Sequence, residues 1–257
     1  MQKLLSKMRQ AINDFNLIEN GDKIAVGLSG GKDSLTLLYL LNAYKKFSPE
    51  SFDLIAITLN PGGVDNSPLH KLCEELEVPF YEVETNIKEV VFDIRKEKNP
   101  CSLCANLRRG ALNDNASKLG CNKVALGHHK DDALETFLLS ICYEGRINCF
   151  SPKSYMDKNN LFLIRPMVYI NESSIRKFAL NNKLPIIKNP CPADGKTKRQ
   201  DMKELIKDLD RKIPCFKKNI FGCGHRRLRH LVPGHPATDC TGRRDRNPES
   251  AAGLVFQ

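Results

Sequence analysis

Residues Ser29-Gly30-Gly31-Lys32-Asp33-Ser34 constrain this chain more than any other segment. The run Ile24-Ala-Val-Gly-Leu28 before them reads as a buried strand of a parallel sheet. After them Leu35, Leu38, Tyr39 and Leu41 recur at helical spacing within Ser34 to Lys46. A glycine-rich turn from such a strand into a helix can curl round an anion. The first N–H groups of the helix and its dipole then favour phosphate. Ser29 and Ser34 add hydroxyls and Lys32 a point charge. Asp33 would repel a phosphate, and its chemistry suits a nearby Mg2+. The spacing is not that of a Walker loop, which needs Gly-x-x-x-x-Gly-Lys-Ser/Thr.

The alternation continues along the chain. Asp53 to Leu59, Pro79 to Glu84, Lys123 to Gly127 and Phe162 to Arg165 read as strands. Ser67 to Glu77, Cys101 to Leu119, Asp131 to Tyr143 and Glu172 to Asn182 read as helices. Strands alternating with helices predict an α/β fold with a doubly wound parallel sheet. The expected division is a nucleotide-binding domain over residues 1–145 that carries a Cys-x-x-Cys insertion, followed by a small, mainly helical appendage over 146–221. Residues 222–257 are expected to be a foreign or disordered tail. Lysine and arginine usage changes abruptly there: from His225 onward the chain has 6 Arg and no Lys.

Composition narrows the partners. A formal charge of +10 favours an anionic partner, nucleic acid above all. No apolar run reaches the roughly 18 residues of a membrane span, and the residues from Met1 to Asn13 do not read as a secretory signal, so no membrane partner and a cytoplasmic location are expected. Ten cysteines in such a setting point to metal binding or sulfur chemistry rather than disulfides. Cys73, Cys121, Cys142 and Cys149 lie among apolar residues and are expected to be small core side chains.

Two further motifs carry chemistry. Gly127-His128-His129-Lys130-Asp131-Asp132-Ala-Leu-Glu135-Thr136 follows a strand and opens a helix, at the same carboxyl edge as the first loop. Gly127 allows a close backbone approach to a nucleotide. Asp131 and Asp132 suit a helix start, which explains them as caps but leaves the paired histidines unexplained. Cys101-Ser-Leu-Cys104 places two thiols three residues apart, a spacing that can share one metal. Cys191 lies between Pro190 and Pro192, and on its own is as consistent with a rigid turn as with a ligand.

Taken in order, the Ser-Gly-Gly-Lys-Asp-Ser loop, Cys-x-x-Cys before Arg108-Arg109, Gly-His-His-x-Asp-Asp-x-x-Glu-Thr, Ile164-Arg165-Pro166 and the late cysteine resemble the tRNA 2-thiocytidine synthetases. These are PP-loop ATP-pyrophosphatases with the adenine nucleotide α-hydrolase-like fold. The resemblance spans about Met1 to Phe221 and departs from the best-known members at Pro192-Ala-Asp-Gly195, where they carry a further cysteine. It implies a sulfurtransferase using ATP, Mg2+ and a 4Fe-4S cluster held by Cys101, Cys104 and Cys191. ATP would lie against Ser29, Gly30, Gly31, Lys32, Asp33, Ser34, Leu59 and Gly127, with Lys32, Asp33 and Asp132 as catalytic residues. Arg108, Arg109, Lys196, Lys198 and Arg199 would hold tRNA phosphates. The implied product is 2-thiocytidine at position 32 of tRNA, with a cysteine desulfurase or free sulfide as sulfur donor and a homodimer as assembly. The alternatives are a related 2-thiouridine synthase and a non-catalytic ATP- or metal-sensing RNA-binding protein.

Overall fold

The structure, a computed structural model, describes residues 1–95, 100–187 and 198–222. Six strands form one sheet: β1 (Asp22–Gly27), β2 (Phe52–Asn60), β3 (Phe80–Glu84), β4 (Lys123–Ala125), β5 (Lys153–Met156) and β6 (Leu161–Ile164). Their order is β3-β2-β1-β4-β6-β5, parallel except for the β5–β6 hairpin at one edge. The strand order reverses between β1 and β4, so loops from both strands meet at one carboxyl edge.

The helices are α1 (Gln2–Phe15), α2 (Lys32–Lys45), α3 (Ser67–Glu75), the short α4 (Ile87–Glu89), α5 (Pro100–Lys118), α6 (Lys130–Glu144), α7 (Glu172–Asn181) and α8 (Lys198–Lys212). One core packs α1, α2, α3 and α7 against the sheet, and a smaller one packs α5 against the opposite face. In α2, Leu35, Leu37, Leu38, Leu40 and Leu41 are all fully buried. A helix apolar on nearly every side is a core helix, so the phosphate-type loop is fixed to a helix anchored in the core.

Four features differ from the sequence-based expectation. Leu4, Leu5, Met8, Ala11, Ile12 and Phe15 form a buried stripe on α1, which ends at Asn16 in the left-handed conformation. β5 is polar and lies at the edge, so it lacks the apolar alternation that signals a strand. Cys142 is exposed on α6 rather than packed in the core, whereas Cys73 and Cys121 are buried as expected. The boundary at residue 145 falls inside the sheet, because β6 pairs with β4.

The amino edge is closed by a buried ion pair. Lys123 at the start of β4 is 1% exposed and lies 2.7 Å from Asp22 and 3.0 Å from Glu19. Asp22 also accepts from Glu19 N–H and Asn122 Nδ2. Removing one member leaves the other charge buried and uncompensated. Lys123→Met is therefore expected to lower unfolding free energy by about 3–5 kcal/mol in urea titrations, although it sits at the end of the sheet away from the phosphate-type loop.

Candidate active site

The loop between β1 and α2 is held by its own hydroxyls. Ser34 Oγ accepts from Ser29 N–H at 3.1 Å and donates to the Gly31 carbonyl at 3.0 Å, and Ser29 Oγ lies 3.1 Å from it. Ser34, expected as a phosphate donor, is buried and engaged in shaping the loop. Gly30 has φ +75°. A methyl group there would come within 3.0 Å of Ile187 Cβ, and Ile187 N–H donates to the Gly30 carbonyl. The N–H groups of the first turn of α2 have no partner within the helix and border this loop.

Gly127 makes a close approach, but to protein backbone. A methyl group at this position would lie 2.9 Å from the carbonyl carbon of Asp33 and 3.0 Å from Ser34 N. The turn after β4 is thereby pressed onto the start of α2. His129, 2% exposed, and Asp132 then close α6 with a reciprocal cap. His129 N–H donates to Asp132 Oδ2 at 2.9 Å, and Asp132 N–H donates to His129 Nδ1 at 3.3 Å. With Nδ1 accepting, neutral His129 carries its hydrogen on Nε2, which faces Asp33 Oδ1 at 3.6 Å. Asp131 turns the other way and accepts from Glu172 N–H at the start of α7.

A charge network links these turns. Lys32 Nζ lies 3.0 Å from both Asp33 and Glu172. Burial opposes the Lys32 charge, but these two carboxylates outweigh it and raise its pKa. Burial also opposes ionisation of Glu172, yet Lys32 and Lys203 hold its pKa down to about 2. Lys203 reaches on to Glu135, and Arg199 contacts Asp132, Glu135 and the Thr136 hydroxyl. Arg199, expected to face RNA, is thus occupied by carboxylates of α6. Lys198 is exposed and lies 4.4 Å over the Tyr143 ring. Lys196 and Cys191 lie outside the described residues.

Sequence reasoning gave no role to Glu135, Glu172 and Lys203. Glu135 stood in a quoted motif. Glu172 and Lys203 offered no local signal, since their partners come from other elements.

The third wall of the site is α5. Cys101 is exposed and Cys104 half-buried in its first turn. One turn on, Ala105, Arg108 and Arg109 border a cavity of about 260 Å³, with Leu59 of β2, Ser29 of the loop and His128 after β4 among its other walls. Arg165, after β6, is 8% exposed; burial and then nearby Arg109 lower its pKa to about 10. Its guanidinium donates to the Ser151 carbonyl and lies 5.0 Å from the Phe150 ring centre. Burial, followed by the charge of Arg165, lowers the His128 pKa to about 4 and keeps that ring neutral.

With the loop, the capped turn and the cysteine helix on one edge, comparison with known proteins is informative. A PP-loop domain model matches residues 1–209. The tRNA-cytidine(32) 2-sulfurtransferase of Geobacter metallireducens is 38% identical over 239 residues, covering 91% of each chain. The enzyme of that name from Syntrophotalea carbinolica is 40% identical over 237 residues, covering 90% of this chain and 92% of its own. The chain belongs to this family of PP-loop sulfurtransferases. Among solved structures, the U34-tRNA thiolase NcsA from Methanococcus maripaludis, with its 4Fe-4S cluster, superposes with a TM-score of 0.70 at 29% identity, covering 88% of this chain and 78% of its own.

The family's ligands can be tested against these residues. A loop in which a side chain at residue 30 would meet Ile187, beside the unpaired helix amides, suits a nucleotide's phosphates. Asp33 Oδ1 is buried with no hydrogen-bond partner, an oxygen acceptor of the kind Mg2+ takes. Cys101 and Cys104, three residues apart in one helical turn, supply two soft thiolates on neighbouring positions of one face. These donor sets fit the groups.

Glu135 offers a solution test of the network. It is 1% exposed, and burial, reinforced by Asp132 and Glu172, outweighs Lys203 and Arg199 and raises its pKa from 4.5 to about 7. Between these values the folded state binds more protons than the unfolded state, so this group makes stability fall as pH rises. Glu135→Gln is expected to remove that decline between about pH 4.5 and 7 in denaturation midpoints, whereas an unchanged slope would contradict the assignment.

Proposed function

We propose that this chain is an ATP-dependent tRNA thiolase that forms 2-thiocytidine, with nucleotide 32 as its target. The observation that carries the reading is convergence. The phosphate-type loop, the His129–Asp132 turn and the helix bearing Cys101 and Cys104 border one carboxyl edge.

A pyrimidine carbonyl oxygen is a poor leaving group, and adenylation turns it into AMP. The loop amides and Lys32 stabilise the negative charge of the departing pyrophosphate. Asp33 uses its unpartnered oxygen for Mg2+. Asp132 acts by position: its carboxylate fixes the His129 turn and holds Arg199 at the edge of the site. Ser29, Gly30, Gly31, Ser34 and Gly127 shape the nucleotide cradle, and Leu59 forms part of its wall.

Cys101, Cys104 and Cys191 would hold the 4Fe-4S cluster, which would supply the means of carrying the sulfur to be transferred. Exposed Arg108 and Arg109 at the cavity mouth, with Lys196 and Lys198, meet tRNA phosphates. The sulfur comes from a cysteine desulfurase or free sulfide, and the assembly is a homodimer. Among the described residues no helix is long and apolar enough to cross a membrane, and the proposed setting is the cytoplasm, where tRNA is modified.

Mass spectrometry of tRNA nucleosides with and without the gene should show 2-thiocytidine lost on deletion and restored by the chain. Loss of 2-thiouridine instead would move the acceptor to another nucleotide. In anaerobically reconstituted protein given ATP, sulfide and tRNA, Lys32→Ala should slow thiolation roughly 100-fold or more. Thiolation at the unaltered rate would remove the loop from the chemistry.

A further inference from the structure

The cavity beside α5 contains a polar side chain that the function above does not use. Asn113 is 4% exposed and lines the cavity, and its Oδ1 is buried without a hydrogen-bond partner. Two residues further on, Asn115 donates from Nδ2 to the Ala111 carbonyl of the same helix at 2.8 Å, the ordinary local solution for an asparagine in a helix. Asn113 does not use that solution. A buried polar atom without a partner costs stability that a leucine at the same place would not.

The surroundings define what would satisfy it. Leu28, Ile57, Leu59, Leu112 and Leu126 supply apolar walls. The cavity lies across the carboxyl ends of β1 and β2 and reaches Ser29 of the phosphate-type loop. On the β4 side, His128 Nδ1 is a second buried polar atom without a partner. A cavity with apolar walls that borders the phosphate-type loop at Ser29 and contains a carboxamide suits the base of a nucleotide whose phosphates occupy the loop.

We infer that Asn113 is the residue that selects adenine, resting on the ATP-binding reading above. A carboxamide presents an acceptor beside a donor. Adenine presents the complement, an exocyclic amine beside a ring nitrogen acceptor, and asparagine pairs with it in two hydrogen bonds. On the N6/N7 edge hypoxanthine and guanine present two acceptors, O6 and N7, so the carboxamide in either orientation can make only one of the two hydrogen bonds and leaves its oxygen facing an acceptor. The residue lies more than two helical turns beyond Cys104 on α5, so the base would be read well away from the thiols.

The test compares ATP with inosine triphosphate, which differs by the 6-oxo group in place of the 6-amine, on the full chain with Mg2+. The parent protein should bind ATP roughly 10- to 100-fold more tightly than inosine triphosphate. Asn113→Leu should lose that preference through weaker ATP binding, with inosine triphosphate affinity unchanged. Its melting temperature without nucleotide should equal or exceed that of the parent, because the unpartnered atom is gone. Asn113→Ala, which cannot obstruct the cavity, should lose the preference in the same way. Variants that keep the parent's ratio, or a parent that binds both nucleotides equally, would overturn the inference. A variant that melts lower but keeps the ratio makes Asn113 a core residue and overturns it too. A parent that binds neither nucleotide would instead overturn the ATP-binding reading itself.

Discussion

The backbone of Gly127 rests against the backbone of Asp33 and Ser34 more closely than any side chain would permit. That contact joins two turns that arise independently, one from β1 and one from β4. The strands are neighbours at the point where sheet order reverses, so both chains leave the same edge and must part or pack. Here they pack, and the capped start of α6 is held against the start of α2. His129 reaches Asp33, and Glu172, whose N–H is held by Asp131, reaches Lys32. The site therefore behaves as one assembly rather than as a loop with ornaments.

The assembly contains more carboxylates than a phosphate site would suggest. Asp33, Asp132, Glu135 and Glu172 share Lys32, Arg199 and Lys203. Their effect is positional. A lysine at a partly buried loop would lose charge through desolvation, and the adjacent carboxylates reverse that tendency. Lys32 is kept charged and held beside the loop by Asp33 and Glu172 before any phosphate arrives, so the charge is already in place when one does. The expense is Glu135, buried deeply enough that its neighbouring cations do not keep its pKa in the normal range.

How much of this was legible in the sequence follows from range along the chain. The loop, its flanking strand and α2 are contiguous, and glycine, serine and helical leucine spacing announce them together. The turn at 127–132 was equally clear, although Gly127 was assigned to a nucleotide and packs on backbone. The carboxylates that Arg199 meets could not be read from the sequence, because a lysine- and arginine-rich stretch carries no mark of which acidic groups will face it. The amphipathic stripe of α1 was present in Leu4, Met8, Ala11 and Phe15 but was diluted by the charges between them. Edge strand β5 has no buried face to impose alternation. Glu172 and Lys203 become functional candidates only when α7 and α8 are brought to α6 and the loop.

The two ends of the sheet follow opposite rules, and the difference locates function without reference to any motif. At the amino edge Lys123, Asp22, Glu19, Asn122 and Lys23 satisfy one another in a closed set of hydrogen bonds and ion pairs. At the carboxyl side Asp33 Oδ1, Asn113 Oδ1, His128 Nδ1 and Glu135 Oε2 are buried without hydrogen bonds. A fold selected for stability alone would fill both ends alike, since each unpartnered atom carries a desolvation cost. Unmet hydrogen-bonding capacity concentrated where two loops and a thiol-bearing helix converge is the arrangement expected if part of the structure's polar complement is to be supplied by its ligands.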